Sequence, residues 1–131
     1  MNALDLIALR HEFHKAPELG FFEESTKARV AAFLIDLGIE VHIGVGVVGI
    51  LKRGKDNRSI GLRADMDALP IYERSTHDYV SQTPGVMHAC GHDGHMTMLL
   101  GAAALLAGDS DFNGTVVFIF QPNEEHGLGA Q

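Results

Sequence analysis

Gly114-Thr115-Val116-Val117-Phe118-Ile119-Phe120-Gln121-Pro122 is the stretch that decides the fold of this chain. The continuous apolar run Val116 to Phe120, all β-branched or aromatic and set between a glycine and a proline, predicts a strand over 114–121, apolar enough to be buried on both faces. Upstream, Ser59 to Ala64 reads as a second strand, running into Asp65-Met66-Asp67. Between them, about Gly94 to Ala107 reads as a helix, with Asp93 as N-cap and Gly108 as its stop. Its apolar positions wrap most of the circumference, which predicts a well-buried helix. Strand, helix, strand in this order predicts a crossover joining two parallel strands. The residues after both strands and those before the helix then meet at one carboxyl edge of the sheet, where open α/β sheets bind ligands.

Working outward, residues 3–15 show helical spacing, with Leu4, Ile7, Ala8 and His11 as the expected stripe and Pro17 beyond the end. Residues 23–37 are the clearest helix. Val30, Phe33, Leu34 and Leu37 form one stripe, Glu23 and Glu24 favour the N-terminal end, and Gly38 stops it. Glu40 to Ile43 and Val47 to Lys52 read as short strands, and residues 54–58 as a turn. Residues 68–88 form a long loop with Pro70, Pro84 and Gly85, of a length that is often functional in compact domains. The whole is an α/β pattern.

The 131 residues, 46% hydrophobic and 21% charged, suit one modest domain with a core. Ten basic and 17 acidic side chains with no basic cluster argue against a nucleic-acid partner. A single cysteine allows no internal disulfide. The first residues lack a basic-then-apolar leader, and no apolar stretch is long enough to span a bilayer, so a cytoplasmic protein without membrane partners is expected.

Three clusters carry chemistry. Cys90 and His92 lie in His88-Ala89-Cys90-Gly91-His92-Asp93-Gly94-His95, in what should be extended chain, where residues two apart point the same way. A thiolate with imidazole suits a borderline metal such as zinc. Taken alone, a buried thiol and a solvent-facing histidine would explain the pair better; the flanking His88, Asp93 and His95 and the distant acids reverse that balance. Glu124 and Glu125 follow the buried strand directly. Adjacent carboxylates repel, and a metal relieves this by taking one and leaving the other as a base; a solvated acidic loop is the competing explanation. Asp65 and Asp67, at the end of the earlier strand, would orient ligand histidines or bind metal, or merely cap a turn. Two further patterns fail. His11 and His14 are three apart, not the four that a zinc-protease helix needs, and Gly44-Val45-Gly46-Val47-Val48-Gly49 has dinucleotide-loop spacing with no helix after it. His42 and His77 have no partner in sequence and read as surface or packing residues.

Four stretches then resemble the metal-dependent aminoacylase/carboxypeptidase amidohydrolases, in the branch of N-acyl-amino-acid amidohydrolases, hippurate hydrolases and auxin-conjugate hydrolases. They are residues 14–21 (HKAPELGF), 62–70 (LRADMDALP), 87–95 (MHACGHDGH) and 120–125 (FQPNEE). The resemblance implies a three-layer α/β sandwich of zinc-exopeptidase type with a mostly parallel sheet, and a site for two divalent ions, zinc or manganese, with cobalt or nickel as alternatives. It implies Cys90, His92 and Glu125 as ligands, with Cys90 able to bridge the ions, and Glu124 as general base. Asp67 would stand behind the ligands with Asp65 near it. The activity implied is hydrolysis of the amide of an N-acyl amino acid. A dipeptidase, a deacetylase acting on acetylated diaminopimelate, and a catalytically inactive metal-binding module are the alternatives.

The chain departs from that pattern at Asn123, where a small residue is usual, and at His126, often glycine. Relatives in this family are longer. Residues 1–131 are therefore expected to be an N-terminal part of the catalytic domain, inactive or weakly active by itself, without the further ligand histidines and without the lid domain through which the full-length protein would form homo-oligomers.

Overall fold

A computed structural model describes residues 2–109 and 111–131. In chain order the elements are α1 (Ala3–Lys15), α2 (Glu24–Asp36), β1 (Glu40–Ile43), β2 (Val47–Arg53), β3 (Ser59–Asp65), α3 (His92–Ala107) and β4 (Gly114–Gln121). The four strands make one sheet in the order β1-β2-β4-β3. β3 runs parallel to β4, from Ser59 opposite Thr115 to Asp65 opposite Gln121, with α3 as the connection. The α/β class and the crossover expected from sequence are both present, and they bring the ends of β3 and β4 and the start of α3 to one edge.

The sheet is mixed rather than mostly parallel within this chain. β2 pairs antiparallel with both β1 and β4. The cause is local: β1 and β2 are joined by only Gly44-Val45-Gly46, where the Gly44 N–H donates to the Gly46 carbonyl at 2.9 Å. So short a link forces a hairpin. Only Gly44 to Gly46 form the turn; Val47 to Gly49 already belong to β2, so a strand and not a helix follows the glycines. Gly46 passes so close to the Phe120 carbonyl that a Cβ there would collide with it.

β4 is buried on one face, not two. Val116, Phe118 and Phe120 are buried while Val117 and Ile119 are half-buried. The buried set shares a single core with Leu9 and Phe13 of α1, Val30, Ala31 and Leu34 of α2, and Met96, Leu99, Leu100 and Ala103 of α3. On the opposite face Val48 lies across from Ile119 and Ile50 across from Val117, and this apolar band is only partly covered. Of the three layers expected, the chain thus supplies a sheet and one helical layer.

Two helix readings change. In α1 the core stripe is Leu9 and Phe13, whereas Ile7 and Ala8 face outward; the Leu4 side chain lies outside the description. α3 leaves Met98 and Leu105 exposed, so it is not buried all round. The α2 stripe holds, with Val30 and Leu34 fully buried and Phe33 and Leu37 packed against the core. Among the described residues no helix is long and apolar enough to cross a membrane.

Candidate functional site

The sheet edge is built by three chain reversals. After β3, the Met66 N–H donates to the Gln121 carbonyl at 2.9 Å, which carries the pairing one residue further and buries Asp67. Gly91, at φ 80°, turns the chain so that His92 opens α3. After β4, Pro122 ends the strand and Asn123, at φ 48°, turns Glu124 and Glu125 back over the edge. Donor atoms of Cys90, His92 and Glu125 consequently lie within 4.8 Å of one another. Cys90 and His92 are not in extended chain as the sequence suggested. The left-handed Gly91 separates an exposed Cys90 from a buried His92, yet their donor atoms still converge.

Asp67 organizes this cluster. His92 Nδ1 lies 2.8 Å from the Asp67 carbonyl oxygen, and a carbonyl only accepts, so that nitrogen carries the proton. The His92 Nε2 is left facing the carboxylates of Glu124 and Glu125, each at 3.7 Å. The Glu125 N–H donates to Asp67 Oδ2 at 3.1 Å. Burial works to raise Asp67, but the neighbouring His92 side chain and the Glu125 and Glu124 backbone amides outweigh it and hold the carboxyl below the usual range. Asp67 therefore stays charged and fixes both the imidazole and the glutamate turn. Asp65 is engaged differently: its Oδ1 accepts from Arg63 Nε at 3.0 Å. It also groups with His92 and the exposed His95.

Without a cation the cluster holds its protons tightly. Hydrogen bonding to Glu125, with burial and the neighbouring carboxylates, pushes the Cys90 thiol up to about 11. Asp67 raises His92 to about 9. Glu125 Oε1 is buried with no donor, and so is Asp67 Oδ1, which sits 3.3 Å from His92 Nδ1 beyond the better-placed carbonyl. Buried acceptors without donors are costly. A sulfur, an imidazole nitrogen and a carboxylate that converge with such an orphan are a donor set for a borderline divalent metal. His88, 4% exposed with neither ring nitrogen partnered, is held neutral by burial, at about 4.

A second polar network escaped sequence reasoning. Asp93 is not the N-cap of α3; Gly91 holds that place. The Asp93 side chain is fully buried, and its Oδ2 lies 2.8 Å from His14 Nδ1 and 3.1 Å from Arg10 Nε. His14 Nε2 reaches both Glu73 oxygens, at 3.0 and 3.1 Å, and His77 lies 3.3 Å from the same carboxylate. His77 and His11 stack on either side of Tyr79. His77 is thus not solitary, whereas His42 is exposed and pairs with Glu40. Ligand atoms of His14, Glu73 and His77 also lie within 4.8 Å of one another, but the contacts among them already satisfy the His14 and Glu73 atoms. They pin the loop 68–88 to α1, helped by the Gln82 N–H on the Lys15 carbonyl. Residues 59 and 79 positions apart leave no periodic signal in the sequence.

Gly20 backs the glutamate turn. A Cβ there would collide with the side-chain amide of Asn123. Gly20→Ala is expected to cost roughly 1–3 kcal/mol, measured as a lowered urea midpoint with unchanged slope. A midpoint equal to that of the unsubstituted chain would show that the turn yields freely.

Residues 61–131 match the peptidase family M20/M25/M40. The chain is 54% identical over 124 residues to a hippurate hydrolase of Campylobacter jejuni, covering 92% of this chain and 32% of that protein. It is 49% identical over 127 residues to thermostable carboxypeptidase 2 of Saccharolobus solfataricus, covering 93% and 32%. Among solved structures it superposes on the YXEP protein of Bacillus subtilis, described as a dinuclear metal binding peptidase, with a TM-score of 0.93 and 40% identity, covering 97% of this chain and 37% of that one. The chain spans about a third of the length of these curated relatives.

Proposed function

Because the chain belongs to the peptidase family M20/M25/M40, we propose that its sheet-edge cluster works in the metal-dependent hydrolysis of the amide bond of N-acyl amino acids, hippurate-like substrates first. The observation that carries this is the convergence of Cys90, His92 and Glu125 beside a second carboxylate, Glu124, that is not among those three donors. On this reading residues 1–131 form the N-terminal part of a metallohydrolase catalytic domain. The other ion-binding residues, a lid and a dimerisation domain belong to sequence outside them. The similarity of the YXEP protein, dinuclear by its description, supports a site for two divalent ions.

Cys90, His92 and Glu125 would hold metal. The metal would polarise the amide carbonyl and acidify water beside it. Asp67 keeps His92 in the tautomer that presents Nε2 to the cluster. Glu124, whose side chain is 36% exposed, stands where substrate and water reach it. It takes the proton from the attacking water and gives it to the departing amine nitrogen. The products are a carboxylic acid and a free amino acid.

The similarity to a carboxypeptidase favours peptides with a free C-terminal carboxylate as a second reading. Assays with benzoylglycine, acetylated amino acids and dipeptides, run with metal analysis, separate the two. Release of glycine from benzoylglycine by the full-length protein, with divalent metal that is lost in its Cys90→Ser and His92→Ala variants, is expected. Metal content indifferent to both substitutions would overturn the site, and turnover of dipeptides alone would overturn the substrate class.

A further inference from the structure

Two non-glycine residues have left-handed backbones among the described residues, Phe21 at φ 65° and Asn123 at φ 48°. Both adjoin one side chain. Glu23 is 1% exposed, and its Oε1 accepts the Asn123 N–H at 2.9 Å, across 100 positions of sequence. The backbone N–H groups of Phe21 and of Glu23 itself lie beside the same carboxylate.

Glu23 occupies the N-cap position of α2 but makes no side-chain cap there. A buried carboxylate costs stability unless its oxygens are satisfied, and this one takes its donors from backbone amides rather than from an arginine or lysine. Its use is therefore to be sought in what it holds. From the other side, Asp67 Oδ2 accepts the Glu125 N–H at 3.1 Å. The amides of residues 123 and 125 are thus each held by a buried carboxylate, and Glu124 lies between them. Asn123 is further confined by Gly20, whose Cα it covers.

We infer that Glu23 is a positioning residue: it holds the Asn123–Glu125 turn in its left-handed form, and so sets where the Glu124 and Glu125 carboxylates stand at the sheet edge. That these carboxylates serve metal and proton transfer rests on the function proposed above; that Glu23 fixes the turn does not. A left-handed asparagine persists only where its surroundings hold it, and partners standing behind metal ligands typically alter metal affinity or activity by about 10–100-fold when removed.

The test compares Glu23→Gln, which keeps an acceptor for the Asn123 N–H, with Glu23→Ala, which does not. Three readouts are taken on the full-length protein: hydrogen exchange of the Asn123 amide by NMR, the affinity for Co²⁺ with the absorption of the thiolate–cobalt pair, and kcat against KM for benzoylglycine. In Glu23→Ala the Asn123 amide should exchange at least about tenfold faster, Co²⁺ affinity should fall about 10–100-fold, and kcat should fall with KM little changed. Glu23→Gln should stay within about threefold of the parent in all three. A Glu23→Ala protein that loses only thermal stability, with exchange and Co²⁺ affinity unmoved, overturns the inference. Should Glu23→Ala not fold, the unsubstituted chain decides: a protected Asn123 amide is expected, and free exchange in the folded state overturns the assignment. If the unsubstituted full-length protein binds no Co²⁺ and releases no glycine, the proposed function falls, while exchange at Asn123 still decides whether Glu23 holds the turn.

Discussion

Glu124→Gln is expected to lower kcat for N-acyl amino acid hydrolysis by roughly 10²–10⁴-fold, the usual loss when a general base is removed, with bound divalent metal unchanged. The two halves of this result come from different atoms. Glu124 is not part of the donor group of Cys90, His92 and Glu125, so replacing its carboxylate by an amide of the same shape removes no ligand. Its side chain is also the more exposed of the glutamate pair, 36% against 21% for Glu125, so its replacement leaves no buried group unpaired. What the amide lacks is an oxygen basic enough to take a proton from water. Glu125→Gln should do the reverse, because its buried Oε1 has no donor among the described residues and is the atom best suited to a cation. Metal analysis and steady-state kinetics on both variants check this. Retained turnover in Glu124→Gln with normal metal would remove it as the base; metal loss there would place it among the ligands instead.

The crossover was legible because its signals are local. Val116 to Phe120 is a continuous apolar run with Pro122 closing it, and Ser59 to Ala64 ends on charged residues. The pairing of those two strands then dictates that Asp67, His92 and Glu125 share an edge, and they do. Misreadings arose where a distant partner outcompeted a local preference. Asp93 has the side chain and the position of an N-cap, but its carboxylate is drawn to His14, 79 residues away. Glu23 looks like an ordinary first-turn acid, yet it turns inward to Asn123. The strand run of β4 gave its burial on the helical side correctly and on the other side too generously. Hydrophobicity records what a face tolerates, and Val117 and Ile119 stay half-buried, with no helix among the described residues against them. No spacing pattern joins His14 to Glu73, since the loop 68–88 has no regular period from which to place it.

Metal affinity should depend steeply on pH, and its sign follows from the protons the metal-free site retains. The Cys90 thiol keeps its proton up to about 11, chiefly through its hydrogen bond to Glu125, and His92 stays doubly protonated up to about 9, chiefly through Asp67. Both atoms must lose a proton to act as ligands, so at neutral pH binding expels about two protons and the apparent affinity rises about a hundredfold per pH unit. Above pH 9 the histidine is already neutral and only the thiol proton remains to be displaced, which reduces the slope to about tenfold per unit. The metal-free chain has the opposite preference. His92 is raised above its ordinary value of 6.5, so the stabilisation it gains from Asp67 is fully present below that value and is lost as pH rises through about 9. Raising the pH should therefore lower the thermal midpoint of the metal-free protein and raise that of the loaded one. Competition against a chromophoric chelator between about pH 6 and 8, with unfolding followed in parallel, measures both trends. An affinity that is flat over that interval would mean that Cys90 and His92 are not the atoms that take the metal, since no pair of ligands with those protonation states can bind without releasing protons.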